Sequence, residues 1–322
     1  MKRTFLALII AGTAFTTIAY VSGAPEIGAF PESRQFQITY RAIVADIPQT
    51  AEKIRAWIPL ASQSDGQTIY DRRISAPGPY TITRDPKFGN EMIYFEADGS
   101  ESGPLEFSVE YRAKVDQEEF EQNAVGDQVE LYLDPSRLMV INEDVRSRAA
   151  TATANGSDTI EKARGIYDYV VANMAYDKVT PGWGNGDTQR ACDLGKGNCT
   201  DFHSLFISMS QASEIPARFK IGFTVPKEPQ GMMKGYHCWA EFYDAVRGWR
   251  PIDASDAWKH PELKDAYFAH FDTNKFHLST GRDIELSPRQ SGDPVNIFFY
   301  PHVEIDGEIH RDIDMAFDYK NP

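Results

Sequence analysis

The chain has 322 residues, with 33 basic against 47 acidic side chains and a formal net charge of −14. Hydrophobic residues make up 42% and charged residues 25%, globular values that exclude a disordered, collagen-like or multi-span membrane chain. The acidic balance, with no Lys/Arg-rich run, argues against nucleic acid or an anionic membrane surface as partner, and three cysteines are too few for a disulfide scaffold.

Lys2 and Arg3 precede an uncharged run from Phe5 to Val21, which small residues close at Ser22, Gly23 and Ala24. This is the layout of a secretory signal peptide over residues 1–24, with an uncleaved single-span anchor as the alternative. It predicts a periplasmic or secreted protein, with no membrane contact once the signal is cleaved. No Walker A or G-x-G-x-x-G pattern occurs, and no cofactor is expected.

Residues 33–118 read as an antiparallel β-sandwich. Phe36, Ile38, Tyr40, Ala42 and Val44 alternate with mostly polar neighbours, as do Ile54, Ala56, Ile58 and Leu60, and then Leu105 to Val115. Asp116 to Gln128 is acidic and reads as an irregular connector, with Glu118, Glu119 and Glu121 as a solvated face. A second domain, mixing helices and short strands, is expected over 130–262. Ser157-Asp158 with Glu161 predicts a capped helix over about 158–174. A Gly/Asp-rich loop around Trp183 leads to Gly195-Lys196-Gly197-Asn198-Cys199 and a second helix with the apolar stripe Phe202, Leu205, Phe206, Met209 and Ala212. Short strands follow at 219–225, 238–243 and 248–252. Residues 263–322 read as a β-rich C-terminal extension, with a strand over Ile297–Ile305 and a hairpin turn at Asp306-Gly307.

Cys199 stands where a helix begins, and there the unpartnered N–H groups and the helix dipole favour a thiolate. Asn198 before it is a natural N-cap. The plainer alternative for Cys199 is a small buried core residue. His237 lies in a strand-like stretch, and Asp253 ends another after a tight turn. A hairpin of the two would set a base beside the group that orients it.

Gly197-Asn198-Cys199-Thr200-Asp201-Phe202-His203, Ile215-Pro216-Ala217-Arg218, His237-Cys238-Trp239-Ala240-Glu241 and Gly248-Trp249-x-Pro251-x-Asp253 together resemble the transglutaminase-like superfamily, in particular its secreted bacterial members. Tyr167-Asp168-Tyr169-Val170, Tyr176-Asp177 and Gly281-Arg282-Asp283-Ile284 fit as well. The resemblance implies an α+β fold with an N-terminal antiparallel β-sandwich followed by a papain-like catalytic domain. It also implies Cys199 as nucleophile, His237 as base and Asp253 as orienter in amide chemistry through a thioester. Hydrolysis of peptide or isopeptide bonds is the first expectation. Cross-linking acyl transfer and a non-catalytic envelope role are the alternatives, and the expected partner is a protein or peptide.

Several residues compete for roles. Asp256 and Asp201 are rivals to Asp253. The N–H of Cys199 is the first oxyanion donor, and Trp183, Gln189 and Asn198 are candidates for the second. His203, one helical turn after Cys199, reads first as a satisfied histidine beside the site, with modulating the thiolate or contacting substrate as alternatives, and Trp239 as a core residue that could also shield His237. Cys199, His203, His237 and Cys238 form a conceivable zinc set, but strand alternation sends His237 and Cys238 to opposite faces, so no metal is expected. The same alternation turns Cys238 inward and suggests a Cys192–Cys238 disulfide.

Overall fold

The computed structural model describes residues 29–99, 103–123 and 128–322. The expected signal segment, residues 1–24, lies outside the described residues. Among the described residues no helix is long and apolar enough to cross a membrane.

Six strands come first: β1 (Ser33–Val44), β2 (Lys53–Leu60), β3 (Gln67–Ser75), β4 (Tyr80–Arg84), β5 (Glu91–Asp98) and β6 (Leu105–Asp116). Period-two burial holds along β1 and β6, where each apolar residue named above is buried. The expected connector instead contains helix α1 (Gln117–Asn123). Its Phe120 is buried and stacks on Phe271 at 4.2 Å, its Glu121 pairs with the buried Arg250 at 2.6 Å, and its Glu119 binds Thr68 and Lys114. One aromatic anchor docks a helix too short to show periodicity.

The central region holds α2 (Glu143–Thr153), α3 (Thr159–Asn173), β7 (Ala175–Tyr176), α4 (Thr188–Leu194), β8 (Lys196–Gly197) and α5 (Cys199–Ala212). The helix expected over 158–174 is α3. Asp158 caps the N–H of Glu161 at 2.9 Å, and the Glu161 carboxylate returns to the N–H of Ser157 at 2.8 Å. Next come β9 (Ala217–Thr224), β10 (Gln230–Met232), β11 (His237–Asp244), β12 (Gly248–Ile252), α6 (Ala254–Lys259) and β13 (Lys275–Thr280). Strands β12, β11, β9 and β13 form one antiparallel sheet in that order. Helix α5 lies against this sheet, with α2, α3, α4 and α6 around it, and Cys199 to Gln211 are all buried.

The last strands are β14 (His302–Ile305), β15 (Glu308–His310) and β16 (Ile313–Lys320). The expected Asp306-Gly307 turn joins β14 to β15 with φ of 52° and 85°, the left-handed pair of a tight hairpin. The strand expected over 297–305 begins only at His302. The 263–322 segment is shared out: β13 edges the catalytic sheet, and β14 to β16 enter the sandwich. Its two sheets run β10-β16-β1-β6-β3 and β15-β14-β2-β5-β4. Strand β1 is therefore central, with β6 on one side and β16 on the other, and β10 of the catalytic region extends the same sheet. The fold is α+β, a β-sandwich with a papain-like region inserted between its sixth strand and its last three.

The regions also meet at β13. Gln67 donates to the His277 carbonyl at 2.9 Å and accepts from its N–H at 2.7 Å, and Asn90 makes the same pair of bonds to Thr280 at 2.8 and 2.7 Å. Two sandwich amides thus satisfy an edge strand that would otherwise present bare backbone. Phe299, fully buried, packs against Phe223, Tyr236 and Phe317 at 5.0, 5.6 and 5.3 Å, joining the catalytic sheet to the tail. Phe299→Ala is expected to lower stability by about 3–5 kcal/mol. Urea unfolding monitored by tryptophan fluorescence checks this, and a loss below about 1 kcal/mol would contradict the packing.

Candidate active site

The loop before α5 is built around Asp201. Its carboxylate accepts from the N–H groups of Gly184, Gly186 and Asn198 at 2.8, 3.1 and 2.9 Å. A Cβ on Gly197 would lie 2.2 Å from the same carboxylate, so only glycine fits there. Asp201 therefore faces this loop and not His237. Asn198 caps the helix, accepting from the N–H of Thr200 at 2.9 Å. Its amide nitrogen donates to the Tyr236 hydroxyl at 2.8 Å. Cys199 is the first helical residue and 2% exposed.

His237 opens β11. Asp253 follows β12 and caps α6, accepting from Asp256 N–H at 2.9 Å and Ser255 Oγ at 3.0 Å through Oδ1. Antiparallel pairing sets Ala240 opposite Ile252, which brings Asp253 to the His237 end of β11. Asp253 Oδ2 then holds His237 Nε2 at 2.5 Å and Lys275 Nζ at 2.7 Å. Asp256 lies farther from His237, at 3.5 Å, and is bonded by Lys259 at 2.9 Å.

The charges organise into one network. Burial raises the Cys199 thiol, but hydrogen bonds with Cys238 and His237 and the positive charge of His237 outweigh it and hold the thiol well below its ordinary range. Burial lowers His237, yet the charges of Asp256 and Asp253 push it up to about 10. Asp253 is buried, and the charges of Lys275 and His237 keep it well below the usual carboxylate range. Both shifts favour a thiolate–imidazolium pair. Because Nε2 is held by Asp253, Nδ1 of His237 is left for the sulfur.

The other expected residues fall as follows. His203 Nε2 accepts the N–H of Ala254 at 3.1 Å, which fixes the residue after Asp253. Trp239 is buried, with the Lys275 ammonium over its ring at 5.4 Å. Trp183 is 38% exposed, with Lys178 over its ring at 5.8 Å. Gln189 is bound to Asn142 and Asp193, away from the site. The proposed zinc four do not converge. Among the described residues the ligand atoms that gather within 4.8 Å are those of His237, Asp253 and Asp256.

The Cys192–Cys238 disulfide is corrected: all three cysteines are free. Cys238 does point inward, but inward is α5, where its sulfur lies 3.7 Å from Thr200 Oγ1 and 3.9 Å from His203 Nδ1. Cys192 sits on α4. Lys275 was missed, since no periodicity or motif marks a lysine 22 residues past Asp253 as its partner.

The thiols carry a measurable signature. Burial pushes the Cys192 thiol up to about 11, and burial beside the Cys199 charge pushes Cys238 well above its ordinary value. Iodoacetamide is expected to alkylate Cys199 alone, at a rate within about threefold between pH 8 and pH 6. An ordinary thiol slows about tenfold per pH unit there. Peptide mapping checks the site, and a Cys199 rate that tracks free cysteine would contradict the ion pair. Thiol titration of unfolded, unreduced protein should find three free thiols.

The model of the transglutaminase-like superfamily matches residues 146–254, from α2 to the residue after Asp253, and so spans Cys199, His237 and Asp253. A crystal structure of a candidate cysteine protease from Cytophaga hutchinsonii superposes with a TM-score of 0.61 at 16% identity, over 89% of this chain and 91% of that one, which shows a shared fold. An uncharacterised protein of Haemophilus influenzae is 30% identical over 199 residues, 51% of this chain and 54% of that protein, so the chain spans about half the length of this curated relative. Over the core at residues 146–254, the chain is thus similar to the transglutaminase-like superfamily.

Proposed function

We propose that the protein is an extracytoplasmic cysteine hydrolase that cleaves peptide or isopeptide bonds through a thioester on Cys199. One observation carries the reading: Asp253 holds His237 Nε2 at 2.5 Å, beside a buried sulfur at the first position of a helix. The signal-like layout of residues 1–24 supports the location.

The chemistry follows from the resting charges. The Cys199 thiolate attacks the amide carbonyl carbon, and the carbonyl electrons move to oxygen. The helix-start N–H of Cys199 faces that oxygen as a donor. Collapse breaks the C–N bond, and the proton on His237 Nδ1 goes to the departing amine. The neutral imidazole then takes a proton from water as the water attacks the thioester, which restores thiolate, imidazolium and a free acid. Asp253 keeps the ring oriented throughout, and Lys275 keeps Asp253 ionised. A primary amine in place of water would give a cross-link by the same steps.

The test incubates wild type and Cys199→Ala with a peptide library, with and without a primary amine, and reads products by mass spectrometry. Cleavage products from wild type that the variant lacks are expected. Amine adducts without cleavage would replace hydrolysis by acyl transfer. Identical profiles from both proteins would remove the cysteine mechanism.

A further inference from the structure

An oxyanion site ordinarily uses two donors, and the N–H of Cys199 is one. Of the side chains first considered for the second, Asn198 Nδ2 is engaged with Tyr236 and Gln189 with Asn142 and Asp193, while Trp183 is 38% exposed with Lys178 over its ring. The two residues that flank Cys199 instead converge on one phenol. Asn198 Nδ2 donates to the Tyr236 oxygen at 2.8 Å, and Thr200 Oγ1 lies 3.1 Å from it. Tyr236 therefore stands over the first turn of α5, immediately before His237 in the chain. Its ring is held by Phe299 and Tyr300 at 5.6 and 6.2 Å, and it is only partly buried.

Proton accounting gives this phenol a free hand. A tyrosine oxygen has one proton to give and two lone pairs to fill. The Asn198 amide nitrogen can only donate to it. Either hydroxyl of the Thr200–Tyr236 pair can donate across its 3.1 Å, and in the arrangement argued here the Thr200 proton points to Tyr236. Both lone pairs are then filled from the helix side, and the phenolic proton is available to a ligand.

We propose that Tyr236 is a catalytic residue, the second oxyanion donor, whose hydroxyl bonds to the carbonyl oxygen as the Cys199 thiolate adds to it. This rests on the thioester reading above and assigns one of its unassigned roles. The phenol stays protonated through the reaction. Burial, followed by the charge of Cys199, raises its pKa far above neutral, so the group remains a donor.

The test compares two reactions of the same sulfur in the full chain. Acylation by p-nitrophenyl acetate passes through an oxyanion, whereas alkylation by iodoacetamide does not. Tyr236→Phe is expected to slow acylation of Cys199 by about tenfold to a hundredfold, while alkylation stays within about threefold of wild type. Unchanged acylation would overturn the proposal. Equal slowing of both reactions would also overturn it, because the hydroxyl would then act on the thiolate or the fold. Thermal unfolding and the alkylation rate together read whether the variant is folded. A wild type acylated no faster than Cys199→Ala would overturn the parent reading, and this one with it.

Discussion

The Asp253 carboxylate is the point at which four separate elements of the catalytic region meet. Its two oxygens receive the imidazole from the start of β11, the ammonium from β13, and a hydroxyl and an N–H from the start of α6. Burying an ionised carboxylate is severely unfavourable unless its lone pairs and charge are matched. Here both oxygens are filled, and two cations face one anion. The match fixes where the ends of β11, β12 and β13 and the first turn of α6 stand relative to one another. The carboxylate is therefore structural as well as chemical. It cannot take up its catalytic geometry unless the sheet that presents it is complete.

That condition reaches into the sandwich. Lys275 lies on β13, the edge of the catalytic sheet, and the backbone of that strand is clipped by Gln67 and Asn90 of the sandwich. Among the described residues the sandwich contributes none to the hydrogen bonds of Asp253, yet it holds the strand that brings the second cation to it. The tail works in the same direction. β16 pairs with β1 across eight positions, and Phe299 packs the segment before β14 against Phe223 of the catalytic sheet. The β-domain is thus a scaffold for one edge of the site.

Much of this was legible in the sequence, for identifiable reasons. β1, β2 and β6 bury one face, so period two shows; α3 carries its capping residues in sequence order; and Asn198-Cys199 after glycine marks a helix start. The pairing of His237 with Asp253 followed from a short hairpin, where turn length limits the register. What escaped was set by contacts remote in sequence. Lys275 meets Asp253 only because β9 separates β11 from β13, an order no local pattern encodes. Helix α1 is held by Phe120 against Phe271, a stack across more than a hundred residues. The inward turn of Cys238 was read correctly from strand alternation, but the identity of its neighbour depends on which helix lies beneath the strand. Alternation gives a face and leaves its occupant open.

The Cys238 position bears on how a thiolate is kept inside a fold. Cys199 is almost wholly buried, and desolvation alone would favour the neutral thiol. Three features oppose that. The helix start offers unpartnered N–H groups, His237 supplies a full positive charge, and Cys238 supplies a neutral thiol that can donate to sulfur. Cys238 has its own pKa pushed upward, and that shift is what keeps it a donor. The two neighbouring cysteines are thus shifted in opposite directions, Cys199 towards the thiolate and Cys238 towards the neutral thiol that can bond to it. A disulfide to Cys192 would have removed that donor and left the thiolate with one fewer partner. A free Cys238 is consistent with the electrostatics of the site.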